Sequence, residues 1–111
     1  EQSVVIMPWG GSKGTVREAY DSLIKDGTQI GWYYTMFLNP ISPKLLDELR
    51  KKELVLVPEL NYQGQWASTL RSYGVKAEAI TQYTGLPFKV RDLVARISEK
   101  LESHQKKVIK V

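Results

Sequence analysis

The stretch Leu54-Val-Leu-Val-Pro-Glu-Leu-Asn-Tyr-Gln-Gly-Gln65 decides how the chain folds. Four aliphatic residues in a row, Leu54 to Val57, are stopped by Pro58. Glu59, Asn61, Gln63, Gly64 and Gln65 follow, and an amphipathic run begins at Trp66. A short unbroken aliphatic run bounded by turn residues fits a strand buried on both faces, as parallel sheets require. The segment therefore reads as a buried strand ending in a polar loop that opens a helix. In an open α/β sheet, ligands and partners are met at that end of the strand. The loop is rich in hydrogen-bonding groups but holds no Cys, His or Ser. It is suited to holding something rather than reacting with it.

The same alternation repeats on both sides. Upstream, Ser3-Val-Val-Ile-Met-Pro8 predicts a short buried strand, followed by the turn Trp9-Gly-Gly-Ser-Lys-Gly14. Val16, Ala19, Tyr20, Leu23 and Ile24 then share one helical face, Thr15 with Glu18 fits a capping box, and Gly27 suits the helix end. Thr28 to Leu38, aromatic and β-branched, predicts a second strand ended by Asn39-Pro40. Ser42-Pro43 opens a helix with Leu45, Leu46 and Leu49 facing inward and Lys51-Lys52 at its end. Downstream, Trp66, Ala67, Leu70 and Tyr73 mark a helix closed by Gly74. Val75 to Thr81 alternates like a half-exposed outer strand. A loop over 82–89 precedes a last helix carrying Val90, Leu93, Val94, Ile97 and Leu101, and the tail from Val108 to Val111 reads as an edge strand, a packed extension or a frayed end.

The order β-α-β-α-β-α-β-α with short connections predicts a three-layer α/β/α domain, Rossmann-like, with a mostly parallel sheet of four to five strands. Right-handed crossovers place the first strand centrally, the second on one side, and the third then fourth on the other. The turn at 9–14 and the loop at 59–65 would then flank one crevice at the switch point between strands one and three.

Composition sets the outer bounds. The 111 residues make one domain, 42% hydrophobic and 25% charged, as in ordinary globular proteins. No apolar run approaches the roughly 18 to 20 residues of a membrane helix, and no secretory leader pattern is present; the expectation is a cytoplasmic protein without membrane contact. The start at Glu1 without Met, with the small size, raises the expectation of a piece of a longer polypeptide. Without cysteine there are no disulfides, thiolate nucleophiles or Cys-ligated clusters, and with His104 as the single histidine no two-His metal site forms in one copy. The net charge of +4 gathers near Lys51-Lys52 and on the last helix (Lys100, Lys106, Lys107) and at Lys110. These read as solvated helix faces and last-turn charges. No aromatic-interleaved basic motif accompanies them, so nucleic acid is not an expected partner. His104, among Gln105, Lys106 and Lys107, reads as an exposed residue near the helix end.

Two loops carry the candidate site: Gly10, Gly11, Ser12, Lys13 and Gly14, and Glu59, Asn61, Tyr62, Gly64 and Gln65. The first resembles a phosphate cradle, with backbone amides at a helix start and Lys13 beside them. Its glycines match neither the dinucleotide nor the Walker spacing. The second strand, reading Ile30-Gly-Trp-Tyr-Tyr-Thr-Met-Phe37, ends without the acid that a dinucleotide ribose needs. Glycines permitting a tight strand-to-helix turn explain the first loop better. Glu59 stands at a strand end without a partner base, nucleophile or metal, so a loop or domain contact fits it better than catalysis.

With both loops read, the sequence resembles a known family. Pro8-Trp-Gly-Gly-Ser-Lys-Gly14 and Val57-Pro-Glu-Leu-Asn-Tyr-Gln-Gly-Gln65 are similar to the Gly/Ser/Lys turn and the Glu-x-Asn-x-x-Gly-Gln signature in alpha chains of 2-oxoacid:ferredoxin oxidoreductases. Asn39-Pro-Ile and Gln82-Tyr-Thr-Gly-Leu-Pro-Phe88 resemble family loops in order and spacing, while Pro8, Ile41 and Trp66 depart from it. The resemblance spans about Val4 to Leu93. It implies a transketolase C-terminal-like fold and the C-terminal domain of such an alpha chain, with the other domains, the beta subunit, ferredoxin and a 2-oxoacid as partners of the whole enzyme. Oxidative decarboxylation to an acyl-CoA there uses thiamine diphosphate, Mg2+, an iron–sulfur cluster and CoA. None of these is expected to be bound by this chain alone. The expectation is a non-catalytic domain for packing and subunit assembly; the alternative is a small-ligand module taking coenzyme A or a nucleotide at Gly10–Gly14.

Overall fold

The protein is described from a computed structural model over residues 3–8, 13–33, 43–59, 65–81 and 89–109. Strands β1 (Val4–Ile6), β2 (Gly31–Trp32), β3 (Leu54–Glu59) and β4 (Ala77–Thr81) alternate with helices α1 (Lys13–Lys25), α2 (Pro43–Arg50), α3 (Gln65–Ser72) and α4 (Val90–Ile109). The sheet has the order β2-β1-β3-β4 and every pairing is parallel, with Val5 opposite Gly31, Val4 opposite Leu54 and Val55 opposite Ala77. This is the layout that the alternation predicts, with the switch point between β1 and β3.

Strand side chains alternate between faces, and each face meets its own pair of helices. Val4, Ile6, Leu54, Leu56 and Ile80 pack with Val16, Ala19 and Leu23 of α1 and Leu93 and Ile97 of α4. Val5, Met7, Val55 and Val57 pack with Leu46 and Leu49 of α2 and Trp66, Ala67 and Leu70 of α3. All six residues of β3 are buried, because β3 is central and covered above and below. At β4, Glu78, Ala79 and Thr81 are partly exposed, as an outer strand allows.

Helices α1 and α3 are each followed by a glycine in the left-handed region, Gly27 at φ 86° and Gly74 at φ 87°. The N–H groups of Gly27 and Thr28 donate to the Ile24 and Leu23 carbonyls, and those of Gly74 and Val75 to the Arg71 and Leu70 carbonyls. Both ends thereby satisfy carbonyls that a helix terminus leaves open. The Arg50 guanidinium also donates from Nε to the Tyr73 carbonyl at 2.7 Å, tying the end of α2 to the end of α3.

Several local expectations are corrected. Helix α1 begins at Lys13, so Thr15 and Glu18 lie within it and do not form a capping box. Ile24 and Tyr73, placed on apolar faces by their spacing, are 43% and 46% exposed, each in the last turn of its helix or just past it. The described part of β2 is only Gly31–Trp32; residues 34–38 lie outside the described residues. Val108 and Ile109 continue α4 instead of forming a strand, so the sheet has four strands among the described residues. Lys52 is not a solvated end charge. It is 8% exposed, with Nζ 5.6 Å from the centre of the Tyr33 ring. A lysine buries its alkyl stem this way while its ammonium meets an aromatic face.

Candidate functional site

Among the described residues, the most completely buried charged side chain lies at the end of β3. Glu59 shares strand parity with Val55 and Val57, so its side chain projects to the face covered by α3. It is 0% exposed. Oε1 accepts the Trp66 N–H at 2.7 Å, and Oε2 accepts the Ala67 N–H at 3.0 Å. The first N–H groups of a helix have no partner within the helix, and α3 carries no acid in its own first turn. Glu59 supplies the missing acceptor from the preceding strand, and its charge lies at the positive end of the α3 dipole. The carboxylate thus bridges strand and helix while residues 60–64 make the connection between them.

The remaining site residues divide by place. Gly10, Gly11, Ser12, Asn61, Tyr62 and Gly64 lie outside the described residues, as do Trp9 and Gln63. Gln65 opens α3, and Lys13 and Gly14 open α1. Gly14 is exposed, a Cβ there would meet nothing within 4 Å, and its φ is not positive. Neither space nor backbone conformation therefore requires glycine at 14, which removes that position from the tight-turn explanation. Because α1 and α3 follow β1 and β3, their N-termini share the same sheet edge across the switch point. The α3 end is filled by Glu59; the first turn of α1 has no acid.

At the opposite edge a cleft of about 600 Å³ lies between the strand starts and the second half of α4. Ser3, Thr28, Glu53, Leu101, Glu102 and His104 contribute to its wall. His104 is not the exposed residue that its neighbours in sequence suggest. It is half-buried, with Nε2 2.9 Å from Oε1 of Glu53. The pair joins residues far apart in the chain, and only the α4 register, which turns His104 to the side of Leu101, could have signalled it. Elsewhere, Arg17 lies over the Tyr20 and Trp32 rings at 5.1 and 4.9 Å from their centres, covering the outer strand β2.

Chemically, the described residues hold no group of three or more His, Cys, Asp or Glu able to take a metal ion. The chain has no cysteine for a cluster. No described helix is long and apolar enough to cross a membrane.

No protein-family model matches the chain. The alpha subunit of 2-oxoacid:ferredoxin oxidoreductase 2 from Aeropyrum pernix is 27% identical over 112 residues, covering 98% of this chain. The solved structure of 2-oxoglutarate:ferredoxin oxidoreductase from Magnetococcus marinus, with 2-oxoglutarate, coenzyme A and succinyl-CoA bound, matches 89% of this chain with a TM-score of 0.74 and 32% identity. Sequence and fold point to one family. Both matches are 2-oxoacid:ferredoxin oxidoreductases, and this chain is similar to a part of each. The chain spans 17% of the length of the Aeropyrum subunit and 18% of that of the Magnetococcus chain.

Proposed function

We propose that this chain is the C-terminal domain of the alpha chain of a 2-oxoacid:ferredoxin oxidoreductase and serves packing and subunit assembly, not chemistry. The whole enzyme, on this reading, oxidatively decarboxylates a 2-oxoacid to an acyl-CoA and passes electrons to ferredoxin. Thiamine diphosphate, Mg2+, the iron–sulfur cluster and CoA would be held with the other domains and the beta subunit. One observation carries the reading. Glu59, the acid best placed at a strand end for catalysis, has both carboxylate oxygens committed to backbone N–H groups of α3 and no exposed surface. A buried cap of this kind fixes a loop and does not transfer protons to a substrate.

The test mixes the 111-residue chain with the remainder of its alpha chain and the beta subunit. Co-elution on size exclusion with recovered turnover is the expected result. Stoichiometric binding of thiamine diphosphate to the 111-residue chain alone, measured by calorimetry, would overturn the reading.

A second reading is favoured by the start of α1. Its first turn carries no acid, and the Magnetococcus relative was solved with coenzyme A bound. A phosphate-bearing group such as coenzyme A or a nucleotide at Gly10–Gly14 would complement that end electrostatically. Titration of the chain with coenzyme A while observing the Gly11 to Gly14 amides by NMR decides it; unmoved amides at millimolar ligand exclude it.

A further inference from the structure

The cleft at the start of the strands has a sign of charge and a place in the chain's path, and the two together indicate what fills it. Among the described residues, its wall carries two carboxylates, Glu53 and Glu102, and no lysine or arginine. Gly27 and Thr28, also in the wall, lie just past the end of α1, beyond Asp26, so the negative end of that helix dipole is close to the same space. His104 engages Oε1 of Glu53 and holds that carboxylate at the rim. Val4 and Leu101 supply apolar surface, against which an alkyl stem would pack. The complement of such a wall is a basic side chain, its stem on the apolar residues and its charge on the two acids.

Topology says where that side chain comes from. Ser3 is itself part of the wall and leads directly into β1. Its carbonyl accepts the Glu53 N–H at 2.7 Å, so the chain is pinned at the cleft as it enters the sheet. The relatives are several times longer than this chain, which covers 17% and 18% of them. We propose that the cleft is the seat of the alpha-chain segment that leads into Glu1, and that this segment places a lysine or arginine between Glu53 and Glu102. The inference rests on the reading of the chain as a domain of a longer alpha chain. It assigns the two edges of the sheet different duties: the edge with the strand starts receives the chain's own preceding segment, and the edge carrying the βα loops faces other domains and subunits.

Hydrogen exchange on the full-length alpha chain tests it, comparing the wild type with a Glu53→Gln/Glu102→Gln variant and with the 111-residue chain. Residues 26–29 and 98–105 are expected to exchange about tenfold more slowly in the full-length wild type than in the 111-residue chain. The double variant is expected to lose most of that protection in the full-length protein while exchanging like wild type in the 111-residue chain. Glu102→Lys, at an exposed position, should abolish it by repulsion. Equal exchange of these residues in the full-length and 111-residue wild types would overturn the docking. Protection that survives both the double variant and Glu102→Lys would overturn the basic side chain. If the 111-residue chain fails to assemble with its remaining subunits in the separate mixing test, the assembly reading falls while a protected cleft in the full-length chain still upholds this one.

Discussion

The Glu59 carboxylate and the Trp66 backbone N–H lie 2.7 Å apart, out of contact with solvent, at the junction of β3 and α3. Replacing Glu59 by Ala would leave two buried N–H groups without their acceptor and should cost about 3 kcal/mol. Glu59→Gln keeps the shape and one acceptor oxygen but turns an amide N–H2 toward a donor, so a smaller loss of about 1–2 kcal/mol is expected. Urea unfolding midpoints measure both. An alanine variant as stable as wild type would mean that the acid is kept for a ligand and not for the fold.

Three glycines should respond differently to the same substitution. At Gly27 and Gly74 the left-handed backbone is the obstacle, since a Cβ meets nothing within 4 Å at Gly27 and only Arg50 Nε at 3.7 Å at Gly74. Alanine at either should cost about 1–2 kcal/mol, and Gly27→Asn less. Gly14→Ala should be neutral or stabilising by up to about 1 kcal/mol, as in any helix position with ordinary φ. Thermal melts of the three variants would separate the cases.

Ile97 is fully buried where α4 meets the sheet, while Ile24 is largely solvated. Ile97→Ala should cost about 2–5 kcal/mol and Ile97→Val about 0.5–1.5. Ile24→Ala should stay within about 0.5 kcal/mol. Chemical denaturation with a shared slope provides the comparison.

Lys100 Nζ and Glu78 Oε1 are 3.0 Å apart, with side chains 38% and 42% exposed. A pair so accessible to water should show a coupling below about 1 kcal/mol in a Lys100→Met/Glu78→Gln cycle. The coupling should shrink further in high salt.

The strand order and the two-faced core were legible because each element announces its environment in its own residues. Leu54 to Val57 reads as a doubly covered strand, and Val16, Ala19 and Leu23 mark the face of α1 that the structure buries. The likeness to the 2-oxoacid:ferredoxin oxidoreductases was legible too, in four loop motifs. Interactions that depend on parity or on distant partners were harder to read. Glu59 was recognised as the acid at a strand end, yet its capping role follows only from counting parity from Val55 and Val57 to the face beneath α3. The His104–Glu53 contact needs the α4 register and the β3 start at once, and Lys52 is buried because Tyr33 comes from another element. Helix ends were misplaced where propensity is weak: α1 starts before its best capping residue, and α4 continues through a segment whose β-branched composition suits a strand.

Val4 finds its partner in Leu54, whereas Val5 finds one in Gly31. The central ladder thus joins strands separated in the chain by α1, β2 and α2, and no hairpin among the described residues offers a local shortcut. Formation of the native state is gated by a long loop closure, which sets a slow folding rate relative to helical proteins of this size. During that interval Leu54 to Val57 is an aliphatic, uncharged strand awaiting neighbours, the kind of segment that seeks the same segment in another chain. Yield on refolding should therefore fall with protein concentration before stability limits it.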